Sequence, residues 1–359
     1  MDFNIAVLPG DGIGPEIIDQ AKKVVIAIGK KFNHQFNFKP GLVGAIAIDK
    51  TGSPLPAETL DLCKSSDAVL FGAIGDPKYD NNPAAKVRPE QGLLAMRKEL
   101  GLYANVRPVT TFPSLIDKSP LKKEIVQGVD IMMIRELTGG IYFGKPQGRS
   151  EDGNTAYDSC VYSRYEIERV VRLACEYAMK RSKKLTIVDK ANVLATSRLW
   201  RETAVIVSKE YKEIAMDFMF VDNAAMQLIQ WPGRFDVIVT ENMFGDILSD
   251  EASVLTGSLG LLPSASIGLS TSVFEPIHGS YPQAAGKNIA NPLGTILSAA
   301  MMFDLAFNLK TESEIIRTAV EKSIDTDYVT EDLNKVHPKS TSEVGDWIAE
   351  YIIGNPLSR

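Results

Sequence analysis

Long apolar runs, cysteine pairs and an excess of positive charge are all missing from this chain, and each absence closes off a class of function. No apolar stretch approaches the ~20 residues needed to cross a bilayer, so membrane insertion is not expected. Cys63, Cys160 and Cys175 are odd in number, widely spaced and without CxxC pairing, which indicates neither a disulfide framework nor a zinc site. A net charge of −6 argues against a nucleic-acid-binding surface but permits a local basic pocket for an anionic substrate. Residues 1–10 lack the basic n-region and long apolar segment of a signal peptide and read directly as a first strand, so a cytoplasmic protein is expected. No internal repeat, low-complexity tract or long linker is visible. What remains is 359 residues with 45% apolar and 23% charged content, ordinary for a globular protein of roughly two domains.

The informative stretch is Glu241-Asn-Met-Phe-Gly-Asp-Ile-Leu-Ser-Asp-Glu251, just after the apolar run Phe235 to Thr240. If Val237 to Thr240 is a buried strand and Gly245 opens a helix, Asp246 and Asp250 share one helical face. Like charges at that spacing cost a helix roughly 0.2–0.5 kcal/mol, so a positive partner is expected between or beyond them. A hard divalent cation such as Mg²⁺, which takes oxygen ligands, fits that place. The alternative is a helix-capping Asp246 and a solvated Asp250.

Elsewhere strands and helices alternate, which predicts an α/β protein with much parallel sheet. Asn4 to Leu8 is a strand. Pro9-Gly-Asp-Gly-Ile-Gly-Pro15 then turns into a helix with Ile17, Ile18, Ala21, Val24, Val25 and Ile28 on one stripe. Its glycines are spaced GxGxG, not GxGxxG, and no acidic residue ends a second strand about 20 residues on, so an ordinary Rossmann motif is rejected. A second buried strand over Asp67–Ile74 leads to a polar loop, Gly75 to Pro83. Arg97, at the end of a helical stretch from Glu90, and Arg107, in the extended Tyr103–Pro108 segment, flank one junction; Arg135 ends the strand from Asp130. Three converging arginines would suit a polycarboxylate. Residues 139–163 look like two short strands around a polar loop, an arm of the kind that clasps a second subunit. Lys190 ends the strand from Leu185, and Asp222 ends the strand around Met219, at the sheet ends where α/β proteins place ligands. Phe274 to Pro292 is a loop of about 18 residues, long enough to be functional. The last fifty residues show helix-like segments and no legible chemistry.

Taken together, Leu8 to Glu16, Leu93 to Arg97, Asn105 to Pro108, Arg135 to Gly144, Asp189 to Asn192, Asn242 to Asp250, and His278-Gly-Ser with Asn288 to Pro292 resemble the β-decarboxylating hydroxyacid dehydrogenases, in that family's order and almost end to end. The resemblance implies a mixed-sheet α/β fold unrelated to Rossmann, with a first domain from residues 1–102 and 256–359 and a second from 103–255. It also implies a homodimer with shared active sites, to which the second copy supplies Lys190 and Asp222. Mg²⁺ or Mn²⁺ would be held by Asp222, Asp246 and Asp250, while Arg97, Arg107 and Arg135 would bind the substrate carboxylates and Asp222 would also face the substrate. NAD would contact Ile13, Glu90, Asn192, Glu275, His278, Gly279, Ser280, Gln283 and Asn291.

The implied chemistry is oxidation of a 2-hydroxy dicarboxylate followed by loss of the β-carboxylate, with Lys190 taking the hydroxyl proton and Tyr142 protonating the enol. Relatives acting on isocitrate carry Ser-x-Asn before the arginine that matches Arg97; here the segment is Gln91-Gly-Leu-Leu94. Leu93 and Leu94 offer an isopropyl group apolar contact, so the expected substrate is (2R,3S)-3-isopropylmalate, converted to 4-methyl-2-oxopentanoate in leucine biosynthesis. Tartrate, D-malate and homoisocitrate dehydrogenases are the alternatives. A catalytically silent regulatory subunit is another, against which the intact Lys190, Tyr142 and aspartates argue. Gln283 stands where many NAD-using relatives have aspartate, which predicts NAD preference with weaker exclusion of NADP.

Overall fold

The computed structural model describes residues 1–82 and 85–355. Its strands in chain order are β1 (Asp2–Gly10), β2 (Gln35–Pro40), β3 (Ala68–Ala73), β4 (Ala104–Thr110), β5 (Asp130–Glu136), β6 (Gln147–Arg149), β7 (Ala156–Asp158), β8 (Lys184–Asp189), β9 (Ala215–Phe220), β10 (Val237–Thr240), β11 (Pro263–Ile267) and β12 (Val273–Pro276). The chain divides into two compact units, one of residues 1–101 and 258–359, the other of 102–257.

In the first unit the strand order is β2-β1-β3-β12-β11, parallel except for the β11/β12 pair. β3 is buried at every position, as a central strand covered on both faces must be. The helix Gly14–Phe32 follows the glycine-rich turn, with Pro15 in its first turn where a missing N–H costs nothing. Its apolar stripe is buried, and it packs on Thr341–Gly354, whose Ser340 and Glu343 form a reciprocal capping box. Leu293–Leu305 is buried nearly all round and forms the unit's central helix.

In the second unit the order is β4-β5-β10-β8-β9, with β4/β5 antiparallel and the rest parallel. Helices Arg164–Met179 and Ala195–Ser208 cover it, packing Ile167, Val170, Val171, Ala174 and Trp200 against Leu185, Ile187, Val237 and Val239. β6 and β7 form a separate antiparallel ribbon.

Three local readings change. Gly245 does not open the acidic helix; Asn242–Ser253 begins three residues earlier, with Gly245 inside its first turn. The polar loop after β3 contains a helical turn, Pro77–Asp80, because the Asp76 side chain caps the Lys78 N–H; Pro83 lies outside the described residues. The long loop from Phe274 is shorter than expected, since Phe274 to Pro276 belong to β12 and Pro282–Ala284 make a 3₁₀ turn.

Candidate active site

The acidic helix Asn242–Ser253 starts where β10 ends, and its first turn is shaped by the arginine beside it. Thr240 sits opposite Arg135 in the β5/β10 ladder, so the Arg135 side chain leaves β5 alongside that turn. Gly245 gives it passage: a Cβ there would lie 2.7 Å from both Cβ and Cγ of Arg135. The guanidinium donates from Nη1 to Asp246 Oδ1. Arg107, from β4, reaches the same helix, with Nη2 3.8 Å from Asp246 Oδ1 and Nη1 3.5 Å from Asp250 Oδ1, and donates to Asn105 and Ser249 as well. The like-charged pair is therefore offset by two buried guanidiniums of the same chain. Burial pushes the Asp250 carboxyl above its ordinary range; Arg107 opposes that rise and Asp246 adds to it.

Tyr142 donates its hydroxyl to Asp246 Oδ2 at 3.0 Å, and the guanidinium carbon of Arg135 lies 5.8 Å from its ring centroid. Asp246 thus accepts from Arg135 and Tyr142 at once, yet stays 36% exposed, and Asp250 is 63% exposed. Hard oxygen ligands with open sides suit a Mg²⁺-like ion that keeps water or substrate oxygens in its shell. Among the described residues no three acidic, histidine or cysteine side chains of one chain form a metal cluster.

Lys190 follows β8, and Asp222 lies in the first turn of the helix Val221–Gln230 rather than on β9, because the chain turns helical straight after Phe220. The β8/β9 register pairs Asp189 with Phe220 and brings Lys190 Nζ to 2.6 Å from Asp222 Oδ1. That hydrogen bond holds the Asp222 carboxyl below its usual range. Asp189 is buried and gripped by Arg201 through two 2.9 Å bonds, which fixes the strand end before Lys190. Asn192 is exposed in the turn that follows.

In the first unit, the glycine-rich turn touches the long loop directly. Gly12 has φ +57°, and a Cβ on it would lie 2.0 Å from the Ser280 carbonyl oxygen, so only glycine fits. Ile13 N–H donates to that same carbonyl at 2.8 Å, and Glu16 accepts from Gly286 and Asn288. Asp11, buried, accepts from the N–H groups of Ala45, Ile46 and Gly75 and ties the turn to two further segments.

Beside this turn is a cavity of ≈ 650 Å³, walled by Ile13, His278, Gly279 and Asn291 together with Tyr281, Glu331, Asp332 and Lys335. His278 Nε2 is shielded from solvent and has no hydrogen-bond partner among the described residues; burial pushes this imidazole below its ordinary pKa. Asp332 accepts from Asn291 Nδ2 at 2.9 Å and from the hydroxyls of Ser258 and Thr330. A mostly apolar wall with a few converging polar groups, one of them unsatisfied, is the character of a cofactor site.

A sequence profile described as isocitrate/isopropylmalate dehydrogenase matches residues 4–348. The chain belongs to this family. It is 59% identical over 354 residues to the 3-isopropylmalate dehydrogenase of Bacteroides fragilis, covering 98% of this chain and 99% of that one. It is 58% identical over 335 residues to the 3-isopropylmalate dehydrogenase of Geobacillus kaustophilus, covering 92% and 90%. Among solved structures it resembles the isocitrate dehydrogenase of Methylococcus capsulatus, with a TM-score of 0.88 and 36% identity over 98% of this chain and 99% of the other.

For a member of the isocitrate/isopropylmalate dehydrogenase family, the residues singled out from the sequence fall into three groups. Arg107, Arg135, Tyr142, Asp246 and Asp250 meet on one helix. Lys190 and Asp222 pair with each other. Ile13, His278, Gly279 and Asn291 share the cavity of the first unit, and Ser280 touches the glycine-rich turn. Arg97, also in the first unit, is buried with its Nη2 3.8 Å from Glu275 Oε1, and Leu93 and Leu94 on the same helix are half-buried. Glu90 is exposed, with Oε1 beside Gly75. Gln283 is exposed and not part of the cavity wall. Sequence reading missed Glu331, Asp332 and Lys335 entirely. They lie about forty positions beyond Asn291 in a stretch without a motif, and only the folded chain joins them to it.

Among the described residues no helix is long and apolar enough to cross a membrane.

Proposed function

We propose that this protein oxidises and decarboxylates (2R,3S)-3-isopropylmalate to 4-methyl-2-oxopentanoate and CO₂ with reduction of NAD, a step of leucine biosynthesis, in keeping with the 3-isopropylmalate dehydrogenases it resembles. The observation that carries the reading is the meeting of Arg107, Arg135 and Tyr142 on the face of Asp246 and Asp250. Two buried guanidiniums can grip carboxylates bidentately, and a phenol hydroxyl beside them can deliver a proton. When bound, NAD supplies the hydride acceptor, and Mg²⁺ or Mn²⁺ supplies Lewis acidity for the substrate oxygens.

This chain's residues then divide the work. Arg107 and Arg135 hold carboxylates, and Arg97 with Leu93 and Leu94 carries the family's substrate motif, the leucines facing the isopropyl group. Lys190 receives the C2 hydroxyl proton. Loss of CO₂ from the keto acid leaves an enol, and Tyr142 protonates it at C3. Asp222, Asp246 and Asp250 are the hard donors for the cation, with Lys190 and Asp222 given by the second copy in a cytoplasmic homodimer. NAD lies against Ile13, His278, Gly279, Ser280 and Asn291, with Glu90, Asn192, Glu275 and Gln283 as the remaining contacts; the unsatisfied His278 Nε2 and the glycine-only approach at Gly12 support that place. Glu331 and Asp332 in the same wall set negative charge against a 2′-phosphate and favour NAD over NADP.

The test is a panel of isopropylmalate, isocitrate, malate and tartrate with purified protein, Mg²⁺ or Mn²⁺, and NAD or NADP, following nicotinamide reduction. Turnover of isopropylmalate with NAD is expected. Turnover of another acid alone would reassign the substrate, and turnover of none would favour a silent subunit.

A further inference from the structure

Asn242, the first residue of the acidic helix, is fully buried and joins three parts of the second unit through one side chain and one N–H. Its Oδ1 accepts from Arg135 Nε at 3.0 Å and from Nη2 at 2.8 Å. Its Nδ2 donates to the Gly139 carbonyl at 3.1 Å, and its backbone N–H, one of the helix's unsatisfied first-turn donors, goes to the Tyr162 hydroxyl at 2.9 Å. The amide's orientation follows from chemistry, since a guanidinium has no acceptor and a carbonyl has no donor.

Two consequences follow from this geometry. The Nε/Nη2 edge of Arg135 is occupied by a neutral acceptor, which fixes the rotation of the guanidinium and points Nη1 at Asp246, whose carboxylate already faces this charge, without adding a second carboxylate. A carboxylate on the same edge would be the arginine's second, after Asp246, and would turn the local balance negative against an anionic ligand. The bond to Gly139 holds the turn that leads three residues on to Tyr142, and Glu136 grips the same turn through the N–H groups of Thr138 and Gly139. One amide therefore sets both the arginine and the tyrosine that meet on Asp246.

We propose that Asn242 is a positioning residue for the reaction: it fixes the Arg135 guanidinium for the substrate carboxylate without adding a second negative charge beside it, while holding the Tyr142 turn in register with it. This rests on the reading of Arg135 as a substrate-carboxylate ligand. Asn242→Asp keeps the shape and the two acceptor contacts with Arg135, puts a negative charge on that edge, and loses the donor to the Gly139 carbonyl. Asn242→Ala removes the contacts with Arg135 and with Gly139 alike.

The experiment is a double-mutant cycle of Asn242→Asp and Arg135→Lys, read by KM for 3-isopropylmalate, kcat and thermal midpoint, all with saturating Mg²⁺ and NAD. Asn242→Asp alone is expected to raise KM about 10- to 100-fold, the scale of one hydrogen bond to a charged group. In the Arg135→Lys background the same change is expected to add little, because the edge it compensates is gone. Asn242→Asp and Asn242→Ala both lose the bond to Gly139 and are both expected to lower kcat as well, through the released Tyr142 turn. Unchanged KM in Asn242→Asp, or equal KM effects in both backgrounds, overturns the proposal. A variant that only loses thermal midpoint, with KM and kcat of the folded fraction intact, overturns it too. If Arg135→Lys itself leaves KM untouched, what fails is the reading of Arg135. Should Asn242→Asp fold poorly, Asn242→Ala in the same cycle removes the Arg135 contacts, and a KM effect left undiminished by Arg135→Lys overturns the proposal.

Discussion

Lys190 Nζ and Asp222 Oδ1 are 2.6 Å apart, each just beyond the carboxyl end of one of two neighbouring parallel strands. The pair is set by backbone register: Asp189 faces Phe220, and a one-residue slip of β9 would turn its side chains to the other face. The lysine assigned to the hydroxyl proton and an aspartate assigned to the cation therefore travel together, as one preassembled element.

That coupling bears on the shared site. Lys190→Ala and Tyr142→Phe are each expected to lower turnover by about 10²- to 10⁴-fold, the range for general acid–base groups. Mixing Lys190→Ala subunits with Arg135→Ala subunits is expected to restore activity, since a heterodimer holds one intact site. No recovery despite demonstrated subunit exchange would rule out sharing.

Asp246→Asn tests the cation. The amide keeps an acceptor for Arg135 or Tyr142 but removes a ligand charge, so weaker Mg²⁺ binding, with the rate saturating at higher Mg²⁺, and a fall in kcat of about 10²-fold or more are expected, with the fold retained. The check is Mg²⁺ titration of rate alongside Mg²⁺ titration of thermal midpoint. Unaltered curves for both would remove Asp246 from the cation site.

Glu241 gives a pH prediction. This buried carboxyl precedes the acidic helix, and burial first, then Glu136 and Asp189, raise its pKa from 4.5 to about 7. Below pH 4.5 it is protonated in folded and unfolded chains alike. As pH rises to 7 the unfolded chain ionises first, so stability is lost across that window. Glu241→Gln is expected to match the wild type near pH 4.5 and exceed it at pH 8 by up to about 3 kcal/mol. Denaturant unfolding at the two pH values measures this; a difference that does not change with pH would show that Glu241 ionises freely.

The cofactor wall yields the last prediction. NAD is expected to be preferred, and Glu331→Gln to raise the NADP-to-NAD ratio of kcat/KM about 5-fold or more by removing a like charge from the 2′-phosphate. Lys335→Ala is expected to move the ratio the other way. Gln283→Asp should sharpen NAD preference by less than these, because residue 283 is exposed outside the wall. Wild-type preference for NADP would contradict the assignment.

Much of the fold was legible because its elements announce themselves locally. Val237 to Thr240 and Asp67 to Ile74 are short apolar runs that read as covered strands, and Ile17, Ile18, Ala21, Val24, Val25 and Ile28 mark the buried stripe of the first helix. The acidic pair at 246 and 250 was legible in spacing, but its guanidinium partners were not: Arg135 bonds across 111 positions and Arg107 across 143. Asn242 lay in plain sight inside a recognised motif, yet nothing local distinguishes an amide that turns an arginine from one that caps a helix. Glu331, Asp332 and Lys335 acquire meaning only through the hydrogen bond of Asp332 to Asn291.

The division of the chain has a further consequence, for its synthesis. β3 sits between β1 and β12, and Val69 pairs with Val273, about two hundred residues further on. A ribosome therefore delivers β1, β2 and β3 long before their neighbour exists, while everything the second unit needs arrives in one uninterrupted run. Nascent chains should acquire protease resistance over residues 102–257 first, and the early strands should pass translation with an open, apolar edge at β3. That edge is where a chaperone has most to do, and where premature termination before β12 leaves the chain most prone to aggregate.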